Sequence, residues 1–369
     1  MPVFLSAVSP IEMSRCTPYL DVKIITNKKN KDYSKLFEQI ENEKNETLHK
    51  NSRVLIVDSL NTFLRSFAII NHINPKGNHI GGLTGFLKSI GFAIKHINPT
   101  RVIIVFEGDG STQNKKNLYP DYKGNRKLKR ITNFDGFSDQ EEESESIENQ
   151  LLRLVEYLQC LPLDMVAIDR VEADDTIGHL ATKFQENNDV IIMSSDQDFL
   201  QLVNDKITIY SPTKKKFYDS AKILEEYKVT PQNYLQMKIL LGDSSDNVPG
   251  VPKLGPKKLI KNFPELQEST VVSLKDILEK SNNTEGIMYE SVSMFQHQLK
   301  INEKLMDLHN PHLSSMMILE LEDLISQPKS TMDKSKFLTM YQQDLLGNSI
   351  PNVENWLVNV FTHLMVSKK

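Results

Sequence analysis

Val54-Leu55-Ile56-Val57-Asp58 is an unbroken apolar run closed by an acid, and the architecture follows from it. Four apolar residues in succession do not alternate between a wet and a dry face, so the strand they predict is covered on both sides, as in a parallel sheet. Val102-Ile103-Ile104-Val105-Phe106 and Val190-Ile191-Ile192-Met193 repeat the pattern, and Met165-Val166-Ala167-Ile168 is a weaker fourth. Helical spacing of apolar residues fills the gaps, over Leu83 to His96 and Ile147 to Leu158, which gives the β-α alternation of a doubly wound α/β domain. Beyond about Pro231 the pattern is mostly helical. Residues 1–52 show little periodicity and turn Asn-, Lys- and Glu-rich after Thr26, predicting a partly disordered appendage with some order near Val22 to Ile25.

The chain has 369 residues, 39% hydrophobic and 25% charged, which is ample for a buried core and excludes fibrous and wholly disordered classes. Cys16 and Cys160 are the only cysteines, so no disulfide framework holds the fold and a reducing compartment is expected: the cytoplasm, or a host's cytoplasm for a viral protein. No apolar run reaches the 18 or so residues of a membrane span. The net charge of −4 hides strong segregation. Lys115 to Arg130 carries seven basic residues against Asp121 alone. Asp135 to Glu148 reverses the sign with no Lys or Arg, which predicts a solvated segment or a helix start, and Lys253, Lys257, Lys258 and Lys261 form a cluster without an acid.

Acids follow the strands. Asp58 closes the first, Glu107 follows the second, and Asp196 and Asp198 follow Met193; Glu172, Asp174 and Asp175 open a helical run after the weak strand. The carboxyl ends of parallel strands line one crevice, so these groups are expected to meet. Asp243 and Asp246 bracket the break where the helical region begins. Taken singly, each acid reads first as a turn or N-cap residue. Crowded together, they repel one another unless cations neutralise them, and an oxygen-only donor set selects Mg²⁺ or Mn²⁺, here at two sites. Lys123 and Arg126 share one side of the basic segment if it is helical, with Tyr122 as a stacking surface beside a phosphate-binding charge. From Gly250 to Gly255 the chain imitates a phosphate-binding nucleotide loop, but Pro256 stands where that loop needs its lysine. The turn, with Lys253, Lys257 and Lys258, instead suits a phosphodiester backbone irrespective of base sequence.

These segments resemble, in order, the 5′ nuclease (flap endonuclease) superfamily, and within it the 5′-3′ exonucleases of bacteriophages and bacteria. The matching pieces are Val57-Asp58-Ser59-Leu60-Asn61, Val105-Phe106-Glu107, Tyr122-Lys123-Gly124-Asn125-Arg126, Glu172-Ala173-Asp174-Asp175, Ser195-Asp196-Gln197-Asp198 and Gly242-Asp243-Ser244-Ser245-Asp246-Asn247, from about Arg53 to Pro264. The resemblance implies a PIN-like domain over 53–233, with a mostly parallel sheet flanked by helices and a helical arch at about 111–161. It also implies a helix-three-turn-helix module opening an all-α region over 234–369. By position, Asp58, Glu107, Glu172, Asp174, Asp175, Asp196, Asp198, Asp243 and Asp246 would hold or approach two Mg²⁺ ions, with Mn²⁺ as a substitute. Lys123 and Arg126 would contact the scissile phosphate, and Tyr122 would stack on an unpaired end. Gly250, Lys253, Gly255, Lys257 and Lys258 would grip duplex DNA. Superfamily members commonly carry Asp where Glu107 stands, and Asp109 is the alternative ligand.

The expected activity is two-metal hydrolysis of DNA at a free 5′ end or flap, by a monomer, with RNA primers on DNA as further substrates. A PIN-type single-strand ribonuclease would share the strand-end acids but lack the glycine-lysine turn. An aspartyl phosphatase would want an acid where Leu60 stands. A catalytically inactive DNA-binding homologue would show broken acid clusters, and only Glu107 deviates.

Overall fold

The computed structural model describes residues 52–125, 131–132, 134–327 and 331–366, and these lie in one compact unit. The appendage expected over residues 1–52, apart from Ser52, falls outside them, as does Arg126. Strand β1 (Arg53–Asp58) sits at the centre of a six-stranded sheet with β2 (Arg101–Val105), β3 (Asp164–Val166), β4 (Asp189–Met193), β5 (Ile207–Ser211) and β6 (Lys216–Tyr218). Their order is β3-β2-β1-β4-β5-β6, parallel except for β6. Val54, Leu55, Ile56 and Val57 are all buried because both faces are covered, as the continuous apolar run requires. The order reverses between β1 and β4, so the crevice for a ligand opens at the carboxyl ends of these two strands.

Helices α1 (Ser59–Ile69), α2 (Gly81–Ile97) and α4 (Gln140–Gln159) cover one face, and α5 (Ala173–Phe184) the other; the short α3 (Gln113–Leu118) leads away from β2. The acid-rich stretch from Asp135 is resolved as a helix start. Asp139 caps α4 by accepting from Glu142 N at 2.9 Å, and Glu141, Glu142 and Glu143 lie where the helix dipole favours negative charge. The β5–β6 hairpin was not legible as strands.

The C-terminal half is helical apart from one two-residue ribbon. Helices α6 (Ser220–Tyr227) and α7 (Pro231–Leu241) lead into β7 (Gly242–Asp243) and β8 (Val248–Pro249), then α8 (Pro256–Asn262). The ribbon folds back on the end of α7 so closely that a Cβ on Gly250 would lie 2.1 Å from the Leu241 carbonyl; Gly242 has φ +72°, a conformation that favours glycine. Helices α9 (Leu274–Asn283), α10 (Ile287–Met294), α11 (Gln296–Met306) and α12 (Ser315–Ser326) extend the core on the α5 face. Helices α13 (Lys334–Gln343) and α14 (Val353–Val366) extend the other, with Trp356 edge-on to Phe361 at 5.2 Å. The segment after Phe263 therefore packs against the body and shares both of its cores. Among the described residues no helix is long and apolar enough to cross a membrane.

Candidate active site

Each strand that ends at the crevice delivers an acid. Asp58 is the last residue of β1 and the N-cap of α1: Oδ1 accepts from Asn61 N at 3.2 Å and Oδ2 from Ser194 Oγ at 2.9 Å. Burial, with Asp196 and Glu107 adding negative charge, raises its pKa to about 7 against those two hydrogen bonds. Glu107 is also raised, first by burial and then by Glu172, and its Oε2 is buried without a hydrogen-bond partner. Asp109, the alternative, is exposed, and its backbone pairs with Asp169 and Arg170. The geometry therefore gives Glu107, not Asp109, to the cluster. Asp174, in the first turn of α5, is raised well above the usual carboxylate range by burial and by Asp196 and Asp58. Asp58, Glu107, Glu172, Asp174 and Asp196 thus meet in one place, from segments more than a hundred residues apart.

Three lysines pair with four of the acids. Lys115, on α3 and only 3% exposed, places Nζ 2.8 Å from Glu172 Oε2 and 3.0 Å from Asp175 Oδ2. Spacing of three on α5 puts these two carboxylates on one face, where a single ammonium reaches both. Lys123 also pairs with Glu172. Burial alone would raise the Glu172 pKa, but Lys115 and Lys123 draw it down to about 2. On the other side, Lys238 Nζ lies 2.7 Å from Asp198 Oδ1 and 2.6 Å from Asp243 Oδ2. Asp198 stays at about 6, raised by burial against the pull of Lys238, whereas Asp243, aided by Ser245, falls to about 2 despite its burial.

Lys115 counted only as part of a basic run in the sequence, and Lys238 was missed. The available signal for Lys238 was that it is the sole charge in α7, between the buried Met237 and Ile239.

Two expectations about the basic segment are corrected. Tyr122 is 3% exposed, and its hydroxyl donates toward Glu172 Oε2 at 2.9 Å and Asp246 Oδ2 at 3.1 Å. Its ring has no free face for a base; it ties the two groups of acids together. Lys123 has φ +55°, so residues 121–125 are turns and not helix. That conformation is fixed by a bond from Lys123 N to Asp246 O at 2.8 Å, and it directs the ammonium to the acids. Lys253 is exposed on the turn before α8 and Lys257 and Lys258 in the first turn of that helix, with Lys253 at φ +63° and Lys258 Nζ donating to Lys253 O at 3.1 Å. Gly255 opens onto free space, whereas Gly250 is pressed against the end of α7.

A divalent cation fits this chemistry. Asp174, Asp198, Asp243 and Asp246 line a common cavity of about 10 Å³, room for a single water-sized sphere. The donors are hard oxygens, Glu107 offers an unpartnered one, and Asp58 and Asp174 are in no ion pair among the described residues. As they stand, no three carboxylate, imidazole or thiol groups among the described residues converge to coordinate one ion. The lysines satisfy Glu172, Asp175, Asp198 and Asp243 instead, so a cation entering must compete with those contacts.

Residues 53–228 match the family described as 5′-3′ exonuclease, N-terminal resolvase-like domain. A 5′-3′ exonuclease of Buchnera aphidicola subsp. Schizaphis graminum is 32% identical over 225 residues, 59% of this chain and 73% of that protein. DNA polymerase I of Bacillus subtilis is 27% identical over 260 residues, 69% of this chain and 27% of that protein. Among solved structures, the bacteriophage T5 D15 flap endonuclease, in a pseudo-enzyme-product complex with DNA and metal ions, shares the fold with a TM-score of 0.58 at 20% identity, over 80% of this chain and all of that one. With strand-end acids, lysine counter-charges and sequence relatives in agreement, the chain belongs to the 5′-3′ exonuclease family.

Proposed function

We propose that the protein is a divalent-metal-dependent, structure-specific 5′ nuclease that hydrolyses phosphodiester bonds in DNA at a free 5′ end or flap, and also in RNA primers on DNA. The observation that carries this reading is the proximity of Asp58, Glu107, Asp174 and Asp196, which act on one another's charge, with Lys123 paired to the neighbouring Glu172. These four, with Glu172, would hold one Mg²⁺ or Mn²⁺; Asp198, Asp243 and Asp246 would hold a second, with Asp175 kept behind them by Lys115. Bound, the ions supply an activated water and neutralise charge on the phosphate.

The chain's own residues do the rest. Lys123, paired with Glu172, would neutralise the phosphate at the bond to be cut, with Arg126 three positions on. Lys253, Lys257 and Lys258 neutralise backbone phosphates of the duplex without reading bases. Relatives named 5′-3′ exonuclease and DNA polymerase I support DNA as substrate, and the metal ions in the T5 complex support the metal requirement. Action as a monomer in the cytoplasm, or in a host's cytoplasm for a viral protein, completes the proposal.

A 5′-labelled flap duplex tests it. Cleavage with Mg²⁺, none with EDTA and none with Asp174→Asn is the expected result; cleavage indifferent to chelator or substitution refutes the reading.

A further inference from the structure

The sequence assigns no role to the segment after Phe263, yet one of its helices borders the second group of acids. Leu305 and Met306, at the end of α11, and Leu308 just beyond it line the cavity of about 10 Å³ that Asp174, Asp198, Asp243 and Asp246 share. Two buried amides tie this helix to the segments that carry the acids. Asn302 of α11 is fully buried; its Nδ2 donates to Ile239 O at 3.0 Å and to Pro249 O at 2.8 Å, and its Oδ1 accepts from Gln298 Nε2 at 2.9 Å. Ile239 lies in the last turn of α7, where carbonyls have no partner within the helix, and Pro249 in β8. One amide thus holds the chain on either side of Asp243 and Asp246.

Gln201, 3% exposed, does the same for Asp198. Its Nε2 donates to Asp198 O at 2.9 Å and to Met306 O at 3.0 Å, and its Oε1 accepts from Leu308 N at 3.0 Å. His309 Nε2 donates to Gln201 O at 3.1 Å, a further tie between the same two segments. Asp198 and Asp243 converge on one ammonium, Lys238 Nζ, although one follows β4 and the other follows α7. Because α11 and the loop after it are hydrogen-bonded to both segments, they act as a strut that sets the separation of the two carboxylates. Separation decides which ion fits: Mg²⁺ demands a near-ideal octahedron at about 2.0 to 2.1 Å, whereas Ca²⁺ accepts looser geometry at about 2.3 to 2.6 Å.

We propose that Asn302 and Gln201 are positioning residues through which α11 braces the second cation site and fits it to a small ion, Mg²⁺ over Ca²⁺. The inference rests on the nuclease reading of Asp198, Asp243 and Asp246 and names what gives that site its selectivity.

The test reads cation binding and not cleavage. The metal-free full chain is titrated calorimetrically with Mg²⁺ and, separately, with Ca²⁺. Asn302→Leu and Gln201→Met keep the bulk of the side chain and remove its donors. Each is expected to weaken the second Mg²⁺ step about 10- to 100-fold, the usual cost of losing a group that orients a ligand, while Ca²⁺ binding changes less than about 3-fold. Asn233→Leu is the control: Asn233 is also fully buried, and its Nδ2 ties α7 to the carbonyls of Glu268 and Thr270 at 3.1 and 2.9 Å, in the loop before α9. It should lower stability in urea as the other two do and leave both cation affinities unchanged. Equal losses for Mg²⁺ and Ca²⁺, no loss in Asn302→Leu and Gln201→Met, the same loss in Asn233→Leu, or a single Mg²⁺ step in the unaltered protein overturns the inference and leaves the nuclease reading standing. Should Asn302→Leu fail to fold, Gln201→Met decides alone. Absence of any Mg²⁺ binding in the unaltered protein overturns both.

Discussion

Replacing Lys115 with Met isolates the electrostatics on which the site depends, because the unbranched apolar stem is nearly kept while the ammonium and its donors are lost. The ammonium is buried against Glu172 at 2.8 Å and Asp175 at 3.0 Å. Burial opposes its charge, yet Asp175 and Glu172 outweigh that cost and raise its pKa. Removing one partner of a buried ionic group leaves its carboxylates uncompensated, which typically costs about 3 to 5 kcal/mol. That is a large part of a folding stability of about 5 to 15 kcal/mol. A matched surface pair, Lys206 with Asp189 at 3.3 Å, is about half exposed at both ends, so Lys206→Ala should cost under about 1 kcal/mol. Urea unfolding followed by circular dichroism in EDTA measures both, with an unchanged denaturant slope as the check on two-state behaviour. The loss comes from the stranded acids, so Lys115→Met combined with Asp175→Asn should recover about 1 to 2 kcal/mol relative to Lys115→Met alone. A loss under about 1 kcal/mol in Lys115→Met, or no recovery in the double variant, would refute the reasoning.

Three further outcomes follow from the same geometry. Lys123→Ala should lower kcat on a flap substrate about 10²- to 10³-fold, as for loss of a preorganised donor, with circular dichroism unchanged; an unaltered kcat contradicts its place at the phosphate. Tyr122→Phe removes the hydroxyl that links Glu172 with Asp246 and should cost about 1 to 2 kcal/mol in urea unfolding while the ring's packing is kept; an unchanged stability would contradict that link. Asp58 gives the pH dependence: in EDTA the folded chain keeps its proton up to about pH 7, whereas the unfolded chain releases it near its ordinary value of 3.8. The folded state therefore binds more protons between those limits and loses stability as pH rises. Asp58→Asn should gain about 2 to 3 kcal/mol on the unaltered protein between pH 5 and pH 8, and a constant difference across that range would contradict the shift.

The central strands were legible because a doubly covered strand leaves an uninterrupted apolar run, as at Val54 to Val57. The hairpin of β5 and β6 was not: Lys214, Lys215, Lys216 and the half-exposed Phe217 read as loop, since an antiparallel edge needs little burial. Strand-end position was enough to gather Asp58, Glu107, Asp174 and Asp196. The counter-charges were harder. Lys115 owes its role to α3 turning back over α5, and Lys238 to the last turn of α7 facing Asp198, and neither relation leaves a spacing in the chain. Tyr122 shows the opposite failure, for an aromatic beside a lysine looks the same in sequence whether its ring is exposed or its hydroxyl is buried among acids.

Isothermal titration of the metal-free protein with Mg²⁺ at pH 7, in two buffers of different ionisation enthalpy, tests most directly whether divalent ions neutralise the gathered carboxylates. Saturable binding with release of about half a proton from Asp58 is predicted for the unaltered chain, together with loss of that binding in Asp174→Asn. Binding of equal strength in Asp174→Asn, or none in the unaltered protein, would contradict the account.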